Sequence, residues 1–255
     1  TLHSFTALLA ALTMMHRTSA SEFERAQHLL QLLVDRHPRH AAPHAWLANW
    51  YSLSMTQGHT QLVDRNVGLA FSHAQRAVDL DPHNALALAI SGILHTNLRK
   101  DADTARVHFD QAVTANASEP LAWLYKSVLH GFAAEGEAAR EASQNALALS
   151  PMDPMRHYYE SLAATALLGA GDYAGAQVLA IRSMKTNCMH PSTYRALAIA
   201  QAMQGQTQEA ATTLAGLKRL VPGYTLSAFR ENTGFKISAL GEQFAQALQD
   251  AGLDG

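Results

Sequence analysis

The residues with the most obvious capacity for chemistry are the fourteen histidines. The densest run is His37-Pro38-Arg39-His40-Ala41-Ala42-Pro43-His44, in which His40 and His44 stand four apart and are able to share a helical face. A structural zinc site needs four converging imidazole or thiolate ligands. A zinc-protease helix needs a glutamate directly after its first histidine. Here Pro38 and Pro43 interrupt the segment and no such glutamate follows, so these are read as surface histidines or histidines packed between repeats. His130 and His157 are read in the same way, as packing or groove residues. Gly169-Ala170-Gly171 with Gly175 has the spacing GxGxxxG, not GxGxxG, and no strand precedes it. It reads as a turn joining two helices. The chain contains no GxxxxGK[ST], GxSxG or CxxC, and nothing in its order brings Ser, His and Asp together. Accordingly no catalytic residue, metal ligand or cofactor is assigned. Asn116-Ala117-Ser118 is a glycosylation sequon by pattern only.

The elements that position these residues read as helices. Hydrophobic residues make up 48% of the chain but aromatics only 7%, and no alternating Val/Ile/Thr run offers a strand. The net charge is −2 with no basic block, which argues against direct nucleic-acid binding. The lone Cys188 excludes an internal disulfide framework and suits a reducing cytosol. Residues 5–15 are apolar but lack a basic leader. Leu2, Phe5, Leu8, Leu9, Leu12 and Met15 fit a first core helix, not a signal peptide. No apolar run approaches the ~18 residues of a membrane span. The chain begins at Thr1 and not at Met, so the expectation is a piece cut or processed from something longer.

A fixed interval organises the chain. Ala26 and Pro38, Ala70 and Pro82, Ala139 and Pro151, and Ala210 and Pro222 are each 12 apart, in a chain with only eight prolines. Pro120 to Pro151 is the clearest unit: two amphipathic helices around a Gly-containing turn, with small residues at Ser127, Ala139 and Ala146. Counted from Pro120 as position 1, Trp123, Ser127, Ala139, Ala146 and Pro151 are 4, 8, 20, 27 and 32. This pattern resembles the tetratricopeptide repeat, a helix–turn–helix unit of about 34 residues.

Carried along the chain, the resemblance implies about six helix pairs: an all-α, right-handed superhelical solenoid over 1–222, with capping helices over 223–255. The first pair is expected at 2–16 and 21–36, the second capped by Ser21 with Glu24 as reciprocal partner. The second pair carries a long connection, roughly Gly58 to Asn66, before a helix from about Gly68 to Leu80. The third has one extra residue in its turn, which shifts its small positions to Ala105 and Ala112. Position 8 reads Ala48, Gly92, Ser127, Ser161 and Ala198, small wherever helices 8–10 Å apart would exclude Leu. The fifth unit has a turn Gly171-Asp172-Tyr173-Ala174-Gly175-Ala176 after an insertion, and Cys188 in place of proline makes its exit a softer boundary. After Pro222 a short helix near 224–230 and a last helix near 237–251 are expected. Ile237, Leu240, Phe244 and Leu248 give the last one an apolar stripe.

In this family the first helix of each pair lines a concave surface. Position 5 reads Ala45, Ala89, Leu124, Tyr158 and Arg195, and position 9 reads Asn49, Ile93, Val128, Leu162 and Ile199. The family's carboxylate clamp needs Lys and Asn there, and only Asn49 matches. The implied groove is Asn49, Ala89, Ile93, Asn97, Leu124, Val128, Tyr158, Leu162, Arg195 and Ile199, apolar with a polar rim at Asn49, Asn97 and Arg195. Its expected occupant is a protein or peptide, such as an amphipathic helix, or the chain's own ends.

Longer phrases narrow the resemblance. RHPRHAAPHAWLANWYSL, DLDPHNALALAISGILHTNLRKDADTARVHFDQAV and ALSPMDPMRHYYESLAATALLGAGDY are similar to the C-terminal repeat regions of certain bacterial regulators. In those, a class III adenylate/guanylate cyclase domain or a winged-helix domain precedes the repeats. The resemblance implies a cytoplasmic, non-catalytic interaction and regulatory module, with a homodimerisation scaffold as the alternative. An enzyme using the histidine-rich face ranks third.

Overall fold

The structure, a computed structural model, describes residues 2–16, 19–57 and 64–255. Among these residues all regular structure is helical. The order is α1 (Leu2–Met15), α2 (Ala20–Arg36), α3 (Ala41–Thr56), α4 (Asp64–Leu80), α5 (Ala85–Leu94), α6 (Ala102–Ala115), α7 (Pro120–Phe132) and α8 (Gly136–Leu149). Then follow α9 (Arg156–Gly169), α10 (Tyr173–Thr186), α11 (Pro191–Met203), α12 (Thr207–Leu220), α13 (Leu226–Asn232), a 3₁₀ turn at Gly234–Ile237, and α14 (Leu240–Asp250). The expected all-α helical-repeat class is what the chain adopts. It divides into two compact units, Thr1–Ala122 and Trp123–Gly255.

The 12-residue interval has a structural meaning. Helices α2, α4, α8 and α12 end at Arg36, Leu80, Leu149 and Leu220, each two residues before Pro38, Pro82, Pro151 and Pro222. Ala26, Ala70, Ala139 and Ala210 are all fully buried. Where proline is missing, an asparagine takes over. Asn116 and Asn187 cap α6 and α10 and accept from the backbone N–H groups of Ser118 and Met189 at 3.0 Å. This side-chain turn ends the helix without proline, so the exit at Cys188 is as sharp as the others.

The turns inside the pairs of the second unit share one geometry. Ala134, Gly171 and Gly205 adopt left-handed φ of 62°, 69° and 74°. Glu135, Asp172 and Gln206 donate their N–H groups to the carbonyls of His130, Leu167 and Gln201 at 2.9, 3.0 and 2.9 Å. Such a residue reverses the chain while satisfying a terminal carbonyl. In the first unit Lys100 (φ 57°) does the same, but Asp101 N–H reaches one residue further back, to His95, at 3.1 Å. The extra residue in that turn is absorbed by a π-helical turn, His95–Arg99, which extends α5.

Four expected boundaries move. Ser19, not Ser21, caps α2, accepting from Glu22 N–H at 3.2 Å. Its four-residue motif is Ser19-Ala20-Ser21-Glu22, two residues upstream of the expected one. Helix α4 begins at Asp64, not Gly68, and 58–63 of the expected long connection lie outside the described residues. The C-terminal helices begin at Leu226 and Leu240, because Thr225 caps the first and the 3₁₀ turn takes up Ile237. The stripe survives: Phe244 and Leu248 are buried, while Ile237 and Leu240 are half-buried.

Candidate interaction surface

The two helices of a pair differ in kind. The second helices are amphipathic, as α6 with Ala105, Phe109 and Ala112 inward. From α3 onward the first helices are largely buried, whereas α1 leaves Phe5 and Leu9 exposed. Every residue from Pro43 to Ser54 in α3 is buried, as is every residue from Ala87 to Leu94 in α5. These enclosed helices are hemmed in: α3 packs on α2, α4 and α5, and α9 packs on α8, α10 and α11.

This placement changes the expected groove. Asn49, Ala89, Ile93, Leu124, Val128, Tyr158 and Ile199 are all at most 3% exposed and form part of the packed interior. Asn97, Leu162 and Arg195 are half-exposed. The repeat frame of the fifth unit also shifts. Ala134 and Gly205 are position 15 of their units, and the equivalent Gly171 makes His157, not Pro154, position 1. Positions 5 and 9 of α9 are therefore Ser161 and Thr165, and position 8 is the fully buried Ala164, in place of Tyr158, Leu162 and Ser161. The insertion lies before the helix, in the 151–155 loop, where a count from the preceding proline cannot detect it.

In the second unit the chain's own C-terminal segment covers part of the first-helix face. Phe132, position 13 of α7, meets Phe235 edge-on with ring centres 4.8 Å apart, and Phe235 meets Phe244 at 4.8 Å. Phe244 also reaches Tyr173 at 6.4 Å, and α14 packs on α11. Gly234 is required here, because a Cβ would enter the Phe132 ring. The end is tied by Leu226 N–H donating to the Asp254 carbonyl at 2.8 Å and by Lys218–Asp254 at 2.7 Å.

Next to this segment a strip of α9 and α11 retains exposure: Leu162 and Thr165 on α9, Ser192 and Arg195 on α11. The Arg195 guanidinium donates to Ser192 Oγ at 2.7 Å. It also faces the Tyr224 hydroxyl, whose pKa burial raises and Arg195 opposes. A guanidinium held in place and partly open to solvent is suited to a carboxylate.

Beneath the strip lies a polar seam that the sequence did not reveal. Ser161 Oγ is 3.1 Å from His190 Nδ1, and Thr193 Oγ1 donates to Ser161 Oγ at 2.9 Å. Ser183 Oγ donates to the His157 carbonyl at 2.7 Å. The Ser161–His190 distance matches a nucleophile and its base, but both side chains are buried and Thr193 competes for each. The seam ties α9, α10 and α11 together. Buried Glu160 is a second tie, 2.7 Å from Arg182 and 3.5 Å from Arg156. Arg156 in turn donates to the Ser150 carbonyl at 3.0 Å, at the end of α8.

The histidine run does not converge. His37 bonds Ser4 Oγ at 2.7 Å, His40 precedes α3, and His44 pairs with His73. Among the described residues no group of three or more His, Cys, Asp or Glu is placed to hold a metal ion. His130 is bonded to Glu135 at 2.5 Å, across the α7–α8 turn. No described helix is long and apolar enough to cross a membrane.

No protein-family model and no curated protein sequence matches the chain. Its fold is that of tetratricopeptide repeat structures. A tetratricopeptide repeat protein from Parabacteroides merdae matches with TM-score 0.55 at 13% identity, over 90% of this chain and 78% of that one. The APC/C hetero-tetramer Cut9–Hcn1 matches with TM-score 0.63 at 13% identity, over 96% of this chain but only 42% of that one. PilW, a type IV pilus biogenesis factor, matches with TM-score 0.57 at 20% identity, over 83% and 90%.

Proposed function

We propose that this chain is a non-catalytic interaction module that binds a protein or peptide through the part-exposed strip of its second unit. The observation that supports this is the partial exposure of Leu162 and Thr165 on α9 and of the anchored Arg195 on α11, two helices that pack together and are otherwise mostly buried. The occupant is an amphipathic helix or extended peptide that sets an apolar side chain on Leu162 and a carboxylate on Arg195. The wider setting is a cytoplasmic bacterial signalling or transcription protein, as the sequence phrases imply. There the module biases an attached domain, such as a nucleotide cyclase or winged helix, by population shift.

Peptides selected from a displayed library on the intact chain provide the test. Leu162→Asp and Arg195→Glu should each abolish binding with helicity unchanged, whereas Val107→Asp, on the exposed face of α6, should leave it intact. Equal binding by all three variants would overturn the assignment. Leu124→Asp is unsuitable, because Leu124 is fully buried and a charge there unfolds the protein.

A further inference from the structure

Two imidazole pairs lie inside the first unit, one across each of the successive helix pairs α3–α4 and α5–α6. His44 of α3 and His73 of α4 approach Nδ1 to Nδ1 at 3.0 Å, with ring centres 5.3 Å apart. Two lone pairs would repel at that distance and two N–H groups would collide. The contact therefore exists only when one ring donates and the other accepts. Among the described residues no third His, Cys, Asp or Glu joins the pair to hold a metal ion. His95, in the π-helical turn, stacks on His108 of α6 with ring centres 5.4 Å apart and planes 30° apart. Ser91 Oγ lies 3.3 Å from His108 Nε2, and Phe71 of α4 meets His95 edge-on at 5.0 Å.

The surrounding groups favour neutral rings. Tyr51 stacks on His73 at 6.2 Å, and Gln27 of α2 bonds the Tyr51 hydroxyl at 3.4 Å. Burial holds all four imidazoles below the usual histidine range. The partner ring's charge adds to this at His73 and His108. A bond to the Pro38 carbonyl works against burial at His44, while Arg76 reinforces it. At His95, Arg99 reinforces burial, and Asp101, 3.5 Å from its Nδ1, opposes it. Asp101 also opposes it at His108.

We propose that the two pairs form an acid-sensitive latch: each holds its helix pair closed while its rings are not both charged, and double protonation parts α3 from α4 and the π turn from α6. The sign follows from linkage. The folded pKa values lie below the unfolded value of 6.5, so the unfolded chain binds more protons as pH falls. The latch contributes fully above pH 6.5 and is lost as pH drops through the interval down to the folded values.

Amide hydrogen exchange on the intact chain at about pH 7.5 and about pH 5, corrected for intrinsic rates, tests this. Exchange in residues 41–56, 64–80 and 85–115 should rise several-fold at the lower pH, and the double variant His73→Gln, His108→Gln should show no such rise. An absent rise, or a rise undiminished in the variant, would overturn the proposal. Should the variant not fold, an NMR titration of the wild-type imidazoles decides: values below 6.5 for His44 and His73 support the latch, and values at or above 6.5 refute it.

Discussion

Gly169 of α9 sits against the backbone of Gly131 in α7, so close that a Cβ on Gly169 would overlap the Gly131 carbonyl. A Cβ on Gly131 would in turn stand 2.8 Å from Ala166 Cα. The first helices α7 and α9 therefore touch backbone to backbone. Gly169→Ala should destabilise by about 1–3 kcal/mol, the range for overpacking a closed contact. Urea denaturation measures it, and an unchanged midpoint would mean the helices are not in contact there.

Ala134 holds the left-handed position that glycine holds at Gly171 and Gly205. A Cβ costs about 1–2 kcal/mol in that conformation. Ala134→Gly should therefore raise stability by about 1 kcal/mol, less the backbone entropy glycine gives up. A thermal shift downward would contradict the turn geometry.

Ala139 is fully buried and Ala134 is exposed. Ala139→Leu should cost about 1–3 kcal/mol by overpacking, while Ala134→Leu keeps the same backbone strain and adds only surface. Melting curves of the two should separate by several degrees. Coincident curves would remove the basis for the repeat frame.

Glu160 is 4% exposed between Arg156 and Arg182. Glu160→Ala removes the contacts to both arginines at once and should cost about 1.5–3 kcal/mol, the range for hydrogen bonds to a charged group. Arg182 is half-exposed, so Arg182→Ala should cost clearly less. Chemical denaturation of both variants gives the order, and a reversed order would show that Arg182 carries the tie.

The sequence displayed the repeat through small residues and prolines, because both leave local marks: a fully buried alanine, and a helix ending two residues before proline. It displayed the last helix through the spacing of Phe244 and Leu248. What it hid depends on packing between distant segments. Nothing local in Phe132, Phe235 and Phe244 says that the chain's end lies on α7 and α11. The Ser161–His190–Thr193 seam joins Ser161 to residues 29 and 32 positions away, and no local spacing links them. The groove residues were identified by position in a family pattern. That pattern does not register how completely each first helix is enclosed, nor an insertion placed ahead of α9.

Phe244 tests the C-terminal segment directly. It is fully buried and touches Phe235 and Tyr173. Phe244→Ala should cost about 3–5 kcal/mol, as for any core aromatic. A loss below 1 kcal/mol would make the segment a loosely attached tail.

The measurement closest to the central claim is the pattern of amide hydrogen exchange along the intact chain near neutral pH. Enclosed first helices predict slow exchange through the middle of α3, α5, α9 and α11, with the outward edges of α6 and α10 exchanging sooner. First helices exchanging as fast as second helices would contradict the account, because an open groove, not a filled interior, would then run along them.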